Sequence, residues 1–540
     1  MKRYISIIVV LLLSLYLFSG CGSAPAESTE AVHETTVQAS GTEPAIPDAI
    51  LPATFCVGYA KADITPIDPV PLGGYGDHET RISRGFLEYL YATCVAFSDA
   101  DGNRLLLIAH DLGSSRQEVF DPIREQIARE NGIPGSHIHF AASHSHSSPY
   151  TTSTAYENVS EYIALVRQRI AEGAKAALAD LKPATMETGF QRVDRLNTVR
   201  HYLLTNGKYQ GRAVGTLTKD KLVGHYGKVD NLLQVVKFTR EGDKPVVMVN
   251  WAGHPTGMNG EGYYYASPNY PGALRTELEA TYNCHAAFVL SGSGNVNNGS
   301  QIASEIDYRK GEYKVLGKLL ADRVGEILKN GLTPGKADRI LVSENIMQST
   351  TNKLQVMDVP LYAFSVGDWA CVAAPFEIFD TNAMAVRDAS PYRMTFYASC
   401  ANGALGYLPT PPSFDWEITY EAEITKFPKG MAETVQDALI GQLRDIFAQS
   451  GNTETEKPDG YLTPEFVPTS DEKIYINPAP GEMGLCQEVN NGFYAVMLAS
   501  DSNIRTMLCI DKSVAEKVAA LAAMKLIFNE QNVIVDVIPQ

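Results

Sequence analysis

The chain has 540 residues, of which 45% are hydrophobic, and this suits one large soluble domain or two ordinary ones. Its 62 acidic and 45 basic residues give a formal net charge of -17 at pH 7, which argues against nucleic acid or an anionic lipid surface as an electrostatic partner. The 8 cysteines include no Cys-x-x-Cys pair, so no thiolate metal site is indicated and no disulfide can be assigned.

The first 21 residues have the pattern of a bacterial lipoprotein signal peptide. Lys2 and Arg3 precede a short apolar run that ends in Ser19-Gly20-Cys21, which resembles a lipobox. We therefore predict an extracytoplasmic protein that is anchored to the bacterial cell membrane through a lipidated Cys21, or a secreted protein if Cys21 is not lipidated. Residues 22–52 are rich in Ala, Ser, Thr, Glu and Pro without an apolar period, and this predicts a flexible tether.

Strand and helix patterns alternate in the next part of the chain. The apolar run 104–111 predicts a buried strand that ends in His110, and an amphipathic helix over 117–131 leads to a second strand at 137–142. This order predicts an α/β fold with a mixed or largely parallel sheet and flanking helices. We interpret His110 as a buried, hydrogen-bonded residue rather than a ligand.

The second of these strands ends in His144 and His146, with small serines around them. Residues two apart in an extended chain point to the same face, so both rings are expected to address one point. An isolated His-x-His is more often a surface loop than a metal site, but another apolar strand at 244–250 also leads to a histidine, His254. Because ligands collect beyond the carboxyl ends of strands in α/β sheets, we predict a metal or catalytic site at these strand ends.

Polar residues also occur in two later loops. The irregular stretch 192–228 contains Arg200 and is expected to form a loop or hairpin over a site, although a solvated surface is the alternative. The strand predicted at 286–290 runs into a small polar loop that carries Asn297. This loop resembles neither a phosphate loop nor a Gly-x-Ser-x-Gly nucleophile elbow, so serine-hydrolase chemistry is unsupported.

Glu377 follows an apolar strand predicted at 369–374. A carboxylate at that place is costly to bury without a cation, which makes Glu377 a third ligand candidate, although a solvated helix cap is the alternative. Tyr407 is predicted to lie in a loop bounded by glycine and proline. The long helix expected at 159–181 carries its apolar residues on one face and is interpreted as scaffold.

Several short sequence blocks occur in the order found in the neutral/alkaline, non-lysosomal ceramidases, and over residues 56–447 the chain resembles that family. The blocks are Ala62-Asp63-Ile64-Thr65-Pro66, His110-Asp111-Leu112-Gly113, Ser143-His144-Ser145-His146-Ser147, Asn250-Trp251-Ala252-Gly253-His254-Pro255-Thr256, Asn269-Tyr270-Pro271-Gly272, Ala374-Pro375-Phe376-Glu377 and Gly406-Tyr407-Leu408.

The resemblance implies a zinc-dependent amidohydrolase of N-acyl lipids such as N-acylsphingosine. It implies that Zn²⁺ activates a water molecule for attack on the C–N amide bond and that His146 assists at the transition state. Arg200 is a weaker candidate for orienting the substrate. The zinc ligands that the resemblance implies are His144, His254, Glu377 and Tyr407.

Two features depart from the family pattern. Asn297 stands where the family's ceramidases carry a serine, so a serine nucleophile is ruled out at this position, whereas zinc-activated water needs no serine. The family's C-terminal immunoglobulin-like module is not evident. We predict a catalytic domain over 53–450, a linker over 451–471 and a small α/β accessory domain over 472–540, with a helix at 513–529 and a strand at 533–538.

Two other functions remain open. A zinc hydrolase of a different amide or ester would share the ligands but lack a long apolar channel. A catalytically inactive surface binding protein with the ceramidase fold is the non-enzyme alternative. A purely structural metal site is least expected, because cysteines usually close structural zinc sites.

Overall fold

The computed structural model describes residues 54–152, 157–211, 221–258, 260–299, 312–416, 419–454, 456–481, 486–501 and 503–540. The predicted signal peptide, Cys21 and the tether over 22–52 lie outside these residues. No described helix is both long enough and apolar enough to cross a membrane.

The elements follow in chain order. The helices are α1 (Gln117–Asn131), α2 (Glu157–Ala179), α3 (Asn269–Tyr282), α4 (Tyr313–Asn330), α5 (Asp380–Ala389), α6 (Tyr420–Ile424), α7 (Met431–Ser450) and α8 (Lys512–Ala520). The strands are β1 (Cys56–Asp63), β2 (Tyr91–Ser98), β3 (Arg104–His110), β4 (Ile138–Ala142), β5 (Lys182–Arg192), β6 (Thr198–Val199), β7 (Tyr202–Leu204), β8 (Tyr209–Gln210), β9 (Leu222–His225), β10 (Leu232–Arg240), β11 (Val246–Trp251), β12 (His285–Leu290), β13 (Val296–Asn297), β14 (Thr333–Gly335), β15 (Ile340–Thr350), β16 (Val356–Val366), β17 (Trp369–Ala373), β18 (Phe376–Ile378), β19 (Met394–Ala398), β20 (Gly406–Leu408), β21 (Thr469–Ser470), β22 (Tyr475–Ile476), β23 (Cys486–Glu488), β24 (Tyr494–Ser500), β25 (Asn503–Cys509), β26 (Ala523–Phe528) and β27 (Ile534–Pro539).

The largest sheet has the strand order β12-β11-β10-β5-β1-β2-β3-β4, and β14 pairs with β5. The pairs β3–β4 and β11–β12 are parallel, whereas the pairs between them are antiparallel. The predicted α/β fold with a mixed sheet and flanking helices is therefore confirmed. The strands that lead to His144 and His254 are β4 and β11, and each belongs to one of the two parallel pairs. Both strands end shortly before these histidines, as predicted.

A second sheet, β15-β16-β17-β19, faces the first. Side chains from both sheets form one core, in which Phe97 and Phe238 of the first sheet pack on Trp369 of the second, with ring centroids 6.1 Å apart in each pair. Helices cover the outer faces: α1 and α2 pack on β1–β4, α3 and α4 on β10–β12, and α5 and α7 on the second sheet. Strands covered on both faces must be apolar throughout, which explains the unbroken run Leu105–Ala109.

The C-terminal segment forms its own sheet, β21-β26-β22-β24-β25-β27, with β23 on β24 and α8 against it. The predicted helix over 513–529 is wrong in its second half, because α8 ends at Ala520 and residues 523–528 form β26. Buried and half-buried positions alternate along β26, which is the period of a strand rather than of a helix. The predicted loop over 192–228 contains the short strands β6 to β9.

Candidate metal centre

His144 and His146 converge through a turn rather than along a strand. β4 ends at Ala142, and His144 has φ 63°, in the left-handed region that non-glycine residues seldom adopt. The expectation that an extended chain presents both rings on one face is therefore wrong. The turn is held because His144 N donates to Leu112 O at 3.1 Å and His146 N donates to Pro255 O at 3.0 Å, and the two ring centroids lie 5.1 Å apart.

His254 joins this pair from the end of β11. Its ring centroid lies 4.7 Å from that of His144 and 4.7 Å from that of His146. Ring nitrogens of the three histidines lie within 4.8 Å of one another, and all three residues are buried. The structure thus forms a histidine cluster that could hold a metal ion at the carboxyl ends of β4 and β11.

Backbone carbonyl groups fix the orientation of two of these rings. His144 Nδ1 lies 2.5 Å from Gly113 O, and His254 Nδ1 lies 3.0 Å from Ser293 O. A carbonyl oxygen can only accept, so each Nδ1 carries the hydrogen and donates it. In the neutral ring this leaves a lone pair on each Nε2, and such a hydrogen bond from the other nitrogen is the usual support of a metal-binding histidine.

Glu377 and Tyr407 come from two short parallel strands. β18 pairs with β20 so that Glu377 and Tyr407 are direct partners in the register. Tyr407 therefore lies on a strand, not in a loop as predicted from the flanking glycine and proline. Its ring stacks at 16° to that of His254, with centroids 6.5 Å apart.

The facing atoms of this group fit a bound cation. Glu377 Oε2 lies 3.2 Å from His144 Nε2 and 3.8 Å from His254 Nε2. Among the described residues, Glu377 Oε2 and His144 Nε2 are buried atoms without a hydrogen-bond partner. A carboxylate oxygen and an imidazole nitrogen at this distance need positive charge between them, which a proton on His144 Nε2 or a metal ion would supply, and ligand atoms in a tetrahedral zinc site are roughly 3.3 Å apart.

The pKa values also indicate that positive charge is favoured here. Burial lowers the pKa of His144, but Cys400 and Glu377 outweigh that effect and the pKa lies well above its usual range. Burial raises the pKa of Glu377, yet His144 outweighs it and the pKa is lowered. The carboxylate is therefore charged, and protonated His144 is the cation beside it, a position that a metal ion would take over.

His146 is also within reach of the cluster. Its Nε2 lies 2.8 Å from His254 Nε2, and its Nδ1 is buried without a hydrogen-bond partner in the described part of the chain. Burial and the neighbouring His144 lower the pKa of His146 well below its usual range. The ring is therefore a neutral base that borders the same space as the predicted ligands.

Arg200 supports Tyr407 from behind. Its Nη2 donates to the Tyr407 oxygen at 3.2 Å, and its Nε donates to Glu421 Oε1 at 2.6 Å. His201 Nε2 lies 3.2 Å from the other carboxylate oxygen of Glu421. Burial and Glu377 raise the pKa of Tyr407 well above its usual range, and Arg200 opposes them by lowering it. Arg200 thus contacts a predicted ligand.

Asn297 and His110 connect to the cluster through neighbouring residues, and neither borders the cavity that opens beside it. Asn297 is 9% exposed on β13, whose Val296 O accepts from His254 N at 3.2 Å. His110 Nε2 lies 2.9 Å from the Ser115 hydroxyl, which in turn donates to Cys400 O at 3.1 Å. His110 is thus buried and hydrogen-bonded, as interpreted from the sequence.

A cavity of about 270 Å³ opens beside the cluster and is bordered by His144, His146 and Glu377. Small residues form much of its wall, and residues with hydroxyl groups form part of the rest. The small residues are Gly73, Gly74, Gly113, Gly403, Ala404 and Gly406. Gly74 must be small because a Cβ there would lie 2.5 Å from the His146 ring.

Sequence reasoning missed three residues of the site. Cys400 lines the cavity against His144, and it follows β19, so the strand-end criterion used for the histidines could have found it. Glu421 is 0% exposed but is one of several acidic residues in its segment, and only the folded contacts distinguish it. Arg81 is buried and donates to His146 O at 2.7 Å and to Gly73 O at 2.9 Å, without a sequence signal.

Neither a family model nor a curated protein matches the sequence. Among solved structures, the neutral ceramidase from Pseudomonas aeruginosa is similar with a TM-score of 0.60 over 75% of this chain and 76% of that chain, at 16% identity. A ceramidase complexed with C2 is similar with a TM-score of 0.61 over 82% of this chain and 84% of that chain, also at 16% identity. The chain therefore has the neutral ceramidase fold that its sequence blocks indicate.

Proposed function

We propose that the protein is a zinc-dependent hydrolase of amide bonds in N-acyl compounds. The observation that carries this proposal is the convergence of His144, His254, Glu377 and Tyr407 beside a cavity. Two imidazoles, a carboxylate and a phenol offer nitrogen and oxygen donors, which suit zinc in a catalytic site. The neutral ceramidase fold adds the expectation that the scissile bond is an amide.

When bound, the metal would supply a Lewis acid and a nucleophilic water at neutral pH. The chain's own groups then position the substrate and manage protons. His146 borders the cavity and contacts His254, so it is placed to hydrogen-bond the developing oxyanion or to pass a proton to the leaving amine. Arg200 donates to the Tyr407 oxygen and keeps it oriented.

Asn297 supports a reaction without a covalent acyl intermediate. An amide side chain is no nucleophile, and Asn297 stands where the family's ceramidases carry a serine. We propose that Asn297 serves as a hydrogen-bonding group for substrate or water. A direct attack of water on the amide carbon, with the proton passing to the leaving nitrogen, then completes hydrolysis.

The test measures zinc content and hydrolysis of a short N-acyl amine in four variants. His144→Ala and His254→Ala should each lose zinc, activity and stability together, because metal that binds the folded state stabilises it. His146→Ala should retain zinc and lose turnover by roughly 10²–10⁴, as for a positioned general acid or base. His137→Ala is the control, because His137 bonds Arg104 O on a distant turn.

Equal zinc content in the parent protein, His144→Ala and His254→Ala would exclude the proposed metal centre. Loss of zinc from His146→Ala would instead make His146 a ligand. Full zinc occupancy without turnover of any amide would favour the inactive binding protein. An acyl-enzyme detected by mass spectrometry would contradict direct attack by water.

A further inference from the structure

Two basic side chains line the cavity beside the candidate metal centre. They are Arg116 and Lys426, which come from opposite halves of the chain. Within the described residues neither forms an ion pair with a carboxylate, and Glu377 is the one acidic residue of the cavity wall. The two cations are therefore available to a ligand in this cavity.

Arg116 is held at the wall by the start of α1. Its carbonyl oxygen accepts from Val119 N at 3.1 Å and from Phe120 N at 2.9 Å, which fixes the backbone. Its guanidinium lies 5.5 Å from the ring centroid of Tyr150, another residue of the cavity wall. The N-terminus of α1 adds a positive partial charge near Arg116, and its first turn also carries the exposed Glu118.

Lys426 is fixed through the segment that supports Tyr407. The Thr425 hydroxyl donates to Tyr407 O at 2.8 Å, and Lys426 O accepts from Asn352 N at 2.8 Å. The backbone is thus anchored on both sides, while the ammonium group remains free to move on its flexible stem. Lys426 is exposed and Arg116 is half-buried, so the two side chains border the cavity from its interior to its solvent-facing side.

The described wall of the cavity contains no Leu, Ile, Val, Met, Phe or Trp. Its volume of about 270 Å³ is at the small end for a ligand site. A buried long acyl chain gains its affinity from apolar contacts, and here alanine, proline, tyrosine and glycine supply them instead of large aliphatic side chains. The cavity therefore suits a compact, polar part of a substrate.

The charged side chains around the cavity indicate which charge the polar part of the substrate carries. The chain carries a formal net charge of -17, so its overall field repels anions. Two cations that have no carboxylate partner among the described residues nevertheless line this one cavity. Guanidinium and ammonium groups are the donors that bind carboxylate and phosphate oxygens. Glu377 does not cancel them, since it faces His144 and His254.

Building on the proposed function, we infer that the substrate is an N-acyl compound that carries a carboxylate or phosphate group. Arg116 and Lys426 bind this anion while the amide lies against His146 and Glu377. The two basic residues are specificity-determining groups, and a neutral N-acyl compound of the same size is the poorer substrate.

Matched substrate pairs test this inference in the zinc-loaded enzyme. N-hexanoylglycine is compared with N-hexanoylglycinamide, and N-hexanoyl-O-phosphoethanolamine with N-hexanoylethanolamine. In at least one pair the anion should have a kcat/KM about tenfold higher, since a charge-assisted hydrogen bond is worth about that factor or more. Arg116→Gln and Lys426→Gln should each remove about tenfold through KM for the anion and leave the neutral compound within about twofold.

The control variant is Lys429→Gln, because Lys429 is an exposed lysine close to Lys426 in the sequence, pairs with Asp415 and does not line the cavity. This variant should leave the KM unchanged for both the anionic and the neutral substrate. The pair that shows the preference identifies carboxylate or phosphate as the preferred anion. Equal kcat/KM values within both pairs, or unchanged KM in Arg116→Gln and Lys426→Gln, would overturn the inference.

Binding separates this inference from the proposed function. Calorimetry with the slow His146→Ala protein and the same four compounds should show tighter binding of the anions. Selective binding without hydrolysis by the parent protein would reject the proposed amidase and leave the anion site standing. Hydrolysis of neutral and anionic amides alike, with no selectivity in binding, would reject the anion site and leave the amidase standing.

Discussion

Glu421 is the buried carboxylate that holds Arg200 against Tyr407. Glu421 is 0% exposed and the Arg200 side chain is 16% exposed, so the ion pair is largely removed from water. Removing one partner of such a pair leaves an uncompensated charge and costs about 3–5 kcal/mol. We therefore expect Glu421→Gln to lower the free energy of unfolding at pH 7 by about 3 kcal/mol, measured by urea denaturation.

The effect of Glu421→Gln should depend on pH. Burial raises the pKa of Glu421, but Arg200 and His201 outweigh it and lower the pKa to about 2, from an ordinary value of 4.5. A lowered pKa in the folded state stabilises the protein fully above the ordinary value, and this contribution is lost as the pH falls toward 2. The stability difference between the parent protein and Glu421→Gln should thus shrink between pH 7 and about pH 3.

Glu423→Gln is the matched control for this change. Glu423 lies two residues further along the chain in the same short helix and is exposed. Its replacement should change the free energy of unfolding by less than about 0.5 kcal/mol at both pH values. A difference for Glu421→Gln that stays constant with pH would show that packing, not the ion pair, is what the substitution removes.

At the scale of elements, the parallel pair β18–β20 decides where two predicted ligands lie. Gly294 packs against it, and Gly294 N donates to Ile378 O at 2.8 Å. A Cβ on residue 294 would lie 2.3 Å from Glu377 O, which is backbone and cannot rotate away. Gly294→Ala should therefore displace β18 and lower zinc affinity by roughly 10- to 100-fold, as when partners of metal ligands are disturbed.

Zinc affinity of Gly294→Ala is measured by competition with a chelator. Gly441→Ala serves as the control, because Gly441 lies within α7 and a Cβ there would meet nothing within 4 Å. This control should leave zinc affinity unchanged and raise the free energy of unfolding by about 0.5–1 kcal/mol. Unchanged zinc affinity in Gly294→Ala would mean that Glu377 tolerates movement of its strand.

Strands that are buried on both faces could be predicted from sequence, but contacts between short elements could not. The unbroken apolar runs of β3, β4 and β11 indicate that these strands are buried. They therefore predict that His144 and His254 follow the ends of strands. The pairing of Glu377 with Tyr407 depends on two three-residue strands that lack any periodic pattern. The left-handed turn at His144 was missed because its cause lies in hydrogen bonds from distant segments.

For the molecule as a whole, the C-terminal sheet packs on the strands that follow Arg200. Leu203 of β7 forms one apolar cluster with Phe493, Leu508 and Val533. Hydrogen bonds reinforce the contact, since Asn490 Nδ2 donates to Asn206 O at 2.8 Å and Asn532 Nδ2 donates to Val223 O at 2.9 Å. We infer that the C-terminal segment, whose role the sequence left open, stabilises the strands next to Arg200 and His201.

Phe493→Ala should weaken this contact. Phe493 is 5% exposed, and removing a buried phenylalanine ring costs about 3–5 kcal/mol. Amide hydrogen exchange over residues 202–204 should accelerate, because β7 loses its apolar cover. Ile504→Ala on β25 is the control, since Ile504 is 66% exposed and its loss should change stability by less than about 0.5 kcal/mol. Unchanged exchange in β7 of Phe493→Ala would show that β7 does not depend on the C-terminal sheet.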